Sequence, residues 1–208
     1  MKLQTTKYLY EYWNELRGKR IAPVRKELDP DVLKNILPNL FLLDRVNSNE
    51  YNFRLAGAFT SNIFGEELRD RNFLDLWNEN DKGSFVSLFN TLTEQGAAII
   101  CGLKGKAGDE IISFEFLALP LFHAQGDYCS SIIGSFGFNE DVESKLFFPL
   151  EDVEMVSLRV IWPVEKKLSK PKAVVNVSTP IALEAAQPIT GDPVARRASF
   201  TVIDGGKN

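Results

Sequence analysis

The sequence predicts an α+β domain built on an antiparallel sheet, and three observations lead there. Two short apolar segments, FLLDRVN (41–47) and YNFRLAG (51–57), are joined by Ser48-Asn49-Glu50 in the manner of a β-hairpin. Three longer ones, AAIICGLKG, DEIISFEFLALPLF and CSSIIGSFGF, follow from Ala97 and are separated by the glycine-containing breaks KAG and HAQGDY, as in a meander. Between the two sets the apolar residues recur at helical spacing.

Leu9, Tyr12, Trp13 and Leu16 fall at i, i+3, i+4 and i+7, which places them on one face of an N-terminal helix that Gly18 terminates. After the basic connector RGKRIAPVRKE, Asp29-Pro30 supplies an N-cap and a pre-set first helical φ for Val32, Leu33, Ile36 and Leu37, and Pro38 stops that helix early. In the second strand, alternation puts Tyr51, Phe53 and Leu55 on one face and Asn52, Arg54 and Ala56 on the other. Beyond Gly57, Phe59 and Ile63 suit one short helix closed by Gly65. Asn72 caps a second that presents Phe73, Leu76 and Trp77. Phe85, Leu88, Phe89 and Leu92 mark a longer helix from about Asp81 to Glu94, closed near Gly96.

The chain of 208 residues is 44% hydrophobic and 25% charged, enough apolar material for one well-buried domain. A net charge of -4 and a pI near 5.2 argue against general binding to nucleic acid or to anionic membrane. No apolar run approaches the roughly 18 residues a membrane span needs, and MKLQTTKYLYEYWNELRG is not a signal peptide, so the expected location is the cytoplasm. Cys101 and Cys129 each sit in an apolar run without metal-ligand spacing, the pattern of buried thiols in a reducing compartment. No metal site is expected.

Beyond Trp162 only one of the 23 aromatic residues, Phe200, remains, together with five of the ten prolines. That tail has a net charge of +3 and too little apolar material for its own core, so it reads as mostly disordered or laid along the domain surface. Within it, Arg196-Arg197-Ala198-Ser199 has the form of a basophilic kinase site, and FTVIDGG (200–206) could dock as a strand on a sheet edge. The segment EDVESKLFFPLEDVEMVSLRVIW is ambiguous between helix and strand and is expected to pack on the domain.

The element order, with RLAGAFTSNIFGEELRD (54–70) and LPLFHAQGDYCSSIIGSFGF (119–138), resembles a PAS domain. The longer pattern YWNELRGKRIAPVRKELDPDVLKNILPNLFLLDRV with FEFLALPL is similar to a compact, free-standing bacterial PAS family found mainly in alphaproteobacteria and formerly catalogued as a domain of unknown function. The resemblance implies a five-stranded antiparallel sheet of order 2-1-5-4-3, with short helices on one face cupping a pocket. Residues 1–40 then form an N-terminal helical segment, 41–140 the core, 141–162 a packed extension and 163–208 the tail. It also separates Cys101 from Cys129 by a strand, too far for a disulfide.

The cofactors known in that family find little support. RDRNFLDLW (69–77) resembles the flavin-adduct core, but Phe73 follows Asn72 directly and the reactive cysteine is missing. Haem is disfavoured because the only histidine, His123, falls at the tip of the fourth strand and the long helix has none. GLKGKAGDE lacks the Ser/Thr of a phosphate loop, and no Ser-His-Asp or Cys-His arrangement is identifiable, so no catalytic residue is assigned.

Candidate ligand contacts are Phe53, Phe59, Ile63, Phe64, Phe73, Trp77, Phe89, Phe114 and Phe116, each equally a core residue. Arg54 and Glu115 are charged residues within apolar strands, either facing a ligand or lying in solvent, with Glu115 alternatively pairing locally. The stripe Leu9, Tyr12, Trp13 and Leu16 serves either a homodimer interface or an intramolecular cap. The leading expectation is a non-enzymatic sensory or regulatory protein that relays a signal through a small ligand, a signalling partner, or both. The alternatives are a ligand-free protein interaction scaffold and a small-molecule enzyme using Glu115.

Overall fold

The computed structural model describes residues 1–123, 129–139 and 149–163, and the backbone of 175–176. Its centre is one antiparallel sheet in the order β2-β1-β5-β4-β3-β6-β7. The strands are β1 (Leu40–Asn47), β2 (Glu50–Ala56), β3 (Ala98–Ala107), β4 (Glu110–Phe122), β5 (Cys129–Gly137), β6 (Glu151–Ile161) and the two-residue β7 (Val175–Asn176). The five expected strands appear in the expected order. The count needs correction, because the ambiguous segment before Trp162 supplies β6, paired with β3 from Ala98 to Lys106.

Both faces of this sheet are covered, which explains why its central strands read as continuous apolar runs rather than as alternation. On the inner face lie α3 (Ala58–Phe64), a 3-10 turn (Phe73–Leu76) and α4 (Glu79–Gln95). Gly65 and Gly96 end α3 and α4 in the left-handed conformation, each at φ 70°. Asn78 caps α4 by accepting the Asp81 N–H, so the helix begins two residues before the expected Asp81.

The outer face is covered by α1 (Gln4–Arg17) and by the segment carrying α2 (Pro30–Leu33). Leu9, Trp13, Ala22 and Leu33 pack there against Leu40, Ala98, Ile100, Leu117, Leu119, Leu121 and Ile133. The Trp13 indole N–H donates to the Pro120 carbonyl at 2.8 Å, which fixes the helix on β4.

The face assignment in β2 also needs correction. Leu42 pairs with Leu55 and Leu43 with Phe53, so Arg54 is the extra residue of a bulge. The bulge moves Leu55 off the face of Tyr51 and Phe53: those two are fully buried, whereas Leu55 is 47% exposed. The free side of β2 is closed by the next segment, because the Phe53 N–H donates to Arg71 O at 2.9 Å and Phe53 O accepts the Asp70 N–H at 2.8 Å.

No described helix is long and apolar enough to cross a membrane. Apart from residue 163 and β7, the tail lies outside the described residues, so the expectations for Arg196 to Ser199 and for residues 200–206 fall there, as do those for residues 140–148.

Candidate functional site

The inner face and its helices form the cup expected to hold a ligand, and it is packed with aromatic rings. Phe73 lies at its centre, with the rings of Phe41, Phe53, Trp77, Phe85, Phe89 and Phe116 at centroid distances of 4.9–6.0 Å. Phe41, Phe53, Phe73, Phe85, Phe89, Phe116 and Phe136 are among the largest fully buried side chains. The local reasons are visible in the chain. Asn72 accepts the N–H groups of both Tyr51 and Leu74, which ties the Phe73 turn to β2. Gly134 leaves its inner face open to the Phe41 ring, whose Cζ would stand 2.1 Å from a Cβ there.

Of the expected ligand contacts, Phe53, Ile63, Phe73, Trp77, Phe89, Phe114 and Phe116 are buried in this cluster, and Phe59 and Phe64 pack half-buried against it. Phe41, Phe85 and Phe136 belong beside them and were not among the expected contacts. Phe41 alternates with Leu43 along β1, and this period-2 signal could have found it. The buried Trp77 indole nitrogen within the ring cluster has no hydrogen-bond partner among the described residues.

At one end of the cup the packing becomes polar. Tyr51 donates its hydroxyl to Asn90 Oδ1 at 3.2 Å, and burial pushes its phenol above the usual range. The nearby Cys129 thiol is pushed up by burial to about 11, and Cys101 is raised further by burial within the core. Both cysteines are free thiols on β5 and β3, with β4 between them, as expected. Neither lies on the Phe73–Leu76 turn.

Arg54 and Glu115 lie outside the cup. The bulge leaves Arg54 exposed. Glu115 points to the outer face, is 9% exposed, and lies beneath the start of α1. Its carboxyl oxygens accept the backbone N–H of Lys2 at 3.1 and 3.3 Å, the N–H of Leu3 at 3.5 Å and the Thr6 hydroxyl. The N-cap position of α1 is Leu3, which has no side chain able to accept a hydrogen bond, and a strand residue over 100 positions away instead holds the residues just before the helix and the Thr6 hydroxyl of its first turn.

In the N-terminal stripe, Leu9 is fully buried and Trp13 is 3% exposed, both packed against this chain's own sheet. Tyr12 and Leu16 are half-buried, and the Tyr12 hydroxyl accepts the Asp29 N–H at 2.7 Å.

Two surface grooves accompany these features. One of about 550 Å³ opens between Phe64, Leu76, Leu150 and Val153, rimmed by the ion pairs Lys104–Glu154 at 2.7 Å and Lys106–Asp152 at 2.6 Å. The Lys106 ammonium holds the Asp152 carboxyl below its usual range. The other, of about 590 Å³, lies on the outer face beside Glu115 and residues 1–3. No group of three or more His, Cys, Asp or Glu side chains suited to a metal occurs among the described residues. His123 is exposed at the end of β4.

Residues 1–136 match the model of the PAS domain family, and the chain belongs to that family. PAS domains form a class of sensory and signalling modules, and this chain falls in that class. Among solved structures it is similar to the light-state structure of the blue-light photoreceptor Aureochrome1 LOV, at 16% identity over 56% of this chain and 93% of that one, with a TM-score of 0.39. The dark structure of the same photoreceptor matches at 17% identity over 55% of this chain and 85% of that one, also with a TM-score of 0.39. No curated protein matches the sequence.

Proposed function

We propose that this PAS domain is a non-enzymatic regulatory module that acts through protein contacts, with its cup filled by its own side chains. The observation that carries this reading is the position of Phe73, whose ring occupies the centre of the cup and touches six others. A ligand entering there would have to displace close-packed rings, each representing about 1.5–3 kcal/mol of buried apolar surface. Glu115 is engaged by α1 and lies away from the cup, so it offers little support for acid-base chemistry.

A signal from such a module leaves through its surface, and the outer face with its α1 cap is the part suited to that role. Two anchors on one strand, Glu115 and the Pro120 carbonyl, hold the cap. The second reading is a small apolar ligand bearing a hydrogen-bond acceptor, favoured by the Trp77 indole nitrogen, which has no partner among the described residues. Native mass spectrometry of protein purified from its own cells, set against the same sample denatured, tests the proposal. The expected native mass is that of the bare chain; a stoichiometric small molecule released on denaturation would overturn the filled-cup reading.

A further inference from the structure

Antiparallel partners share a face of the sheet, so the pairings Ser157 with Gly102, Gly102 with Glu115 and Glu115 with Gly137 place these four residues in one row across β6, β3, β4 and β5. Three of the four are small, and the row is a trough on the outer face with the Glu115 carboxyl standing in it. The first turn of α1 fills the Gly137 end, where a Cβ would lie 3.2 Å from Thr6 Cγ2 and 3.4 Å from Leu3 Cβ. At the Gly102 end, the nearest atoms to such a Cβ belong to Ser157 and Val156 of β6, not to α1. That end is the groove of about 590 Å³.

The chemistry of the groove is asymmetric. Its floor is apolar at Ile100, and Arg159 pairs with Ile100 in the neighbouring row. Lys2 and Arg159 line it, and neither side chain makes an ion pair among the described residues. Among the described residues lining it the only acidic one is Glu115, whose oxygens accept the Lys2 and Leu3 N–H groups and the Thr6 hydroxyl, with Oε1 lying 3.9 Å from the Met1 ammonium. Two unpaired cations over an apolar floor suit an anion with an apolar body, and the volume lies in the range of roughly 300–1,000 Å³ typical of small-molecule sites.

We propose that this outer-face groove binds a small amphiphilic carboxylate, its head between Lys2 and Arg159 and its apolar part along the Gly102–Ile100 floor. An occupant would touch residues 2 and 3, the same residues that Glu115 grips, and so would bear on the docking of α1. The proposed seat lies on the opposite face of the sheet from the Phe73 rings, although Leu103 and Phe114 of the inner cluster also border the groove.

The test is an NMR titration of the full chain with decanoate, and with decan-1-ol as the uncharged control. Saturable shifts are expected at the amides of Lys2, Leu3, Gly102, Ser157 and Arg159, with decan-1-ol at least about tenfold weaker, the loss of roughly one charge-assisted contact. Arg159→Glu and Lys2→Glu, both at exposed positions, should each weaken decanoate about tenfold or more and leave the melting temperature unchanged. Equal binding of decan-1-ol, undiminished binding by both variants, or no shifts at these amides would overturn the groove and leave the filled-cup reading intact. Shifts centred instead on Phe73 and Phe116 would overturn both.

Discussion

Glu115 on β4 accepts the Thr6 hydroxyl and the Lys2 N–H, and so anchors the start of a helix that begins more than 100 residues earlier. Removing the carboxyl leaves buried or half-buried donors unpaired. Glu115→Ala should therefore cost about 1–3 kcal/mol in urea denaturation, and Glu115→Gln, which retains an acceptor, about half as much. Amide exchange at Lys2 and Leu3 should accelerate in the alanine variant before the rest of the fold responds. Unchanged exchange there would mean that the carboxyl does not hold α1.

The seat of Trp13 gives a prediction about assembly. Its side chain is 3% exposed and its indole N–H is bonded to Pro120 O within the same chain. Trp13→Ala should cost about 3–5 kcal/mol. The mass in solution, by light scattering, should be the same for wild type and for variant under conditions where both are folded. Dissociation of a wild-type dimer by this change would place Trp13 in an interface.

Phe73 is the deepest test of the cup. With six rings around it, Phe73→Ala should lose about 3–5 kcal/mol, whereas Phe73→Leu should lose less because it leaves a smaller void. Thermal and urea melts of the two variants give the comparison. A loss of under about 1 kcal/mol for the alanine change would show that the rings are loosely packed, which no close-packed core allows.

Two glycines should answer to alanine with opposite signs. At Gly134 a Cβ would meet Phe41 Cζ at 2.1 Å and Leu117 O at 2.3 Å, so Gly134→Ala forces a core ring and a sheet carbonyl to move, at a cost of about 1–3 kcal/mol or more. Gly83 lies inside α4, with nothing within 4 Å of its would-be Cβ. Gly83→Ala should stabilise by about 0.5–1 kcal/mol through helix propensity. Urea denaturation of both variants decides the signs.

The buried thiols set a pH dependence. Burial raises Cys129 from 9.0 to about 11, and Cys101 is raised in the same direction. Below the unfolded value both states are protonated and the thiols contribute no slope. Between about pH 9 and 11 the unfolded chain ionises while the folded chain keeps its protons, so stability falls as pH rises through that window. Replacing both cysteines by valine should flatten this decline, as read by urea denaturation at pH 8 and pH 10. In the folded protein at pH 8 neither thiol should react with a disulfide reagent faster than the chain opens.

The elements and their caps were legible in the sequence because their causes are local. Gly65 and Gly96 end helices, Asn72 caps the Phe73 turn, and the hairpin around Ser48 to Glu50 follows from alternation and turn residues within a few positions of one another. The resemblance to PAS domains carried the order of five strands, which no local signal contains. The segment at 151–161 stayed ambiguous because an apolar run of that length suits a helix or a strand, and only the free edge of β3 selects the strand.

What the sequence by itself determined was a chain with local helix stops, alternating strands and more aromatic residues around residues 51–77 than a surface would keep. The tertiary structure decided where those groups meet. A one-residue bulge at Arg54 turned Leu55 outward, pairing across strands set Glu115 under α1, and the approach of three strands and two helical segments closed the rings around Phe73. Each outcome depends on contacts between residues far apart in the chain, and the energy of such contacts exists only once the sheet has formed.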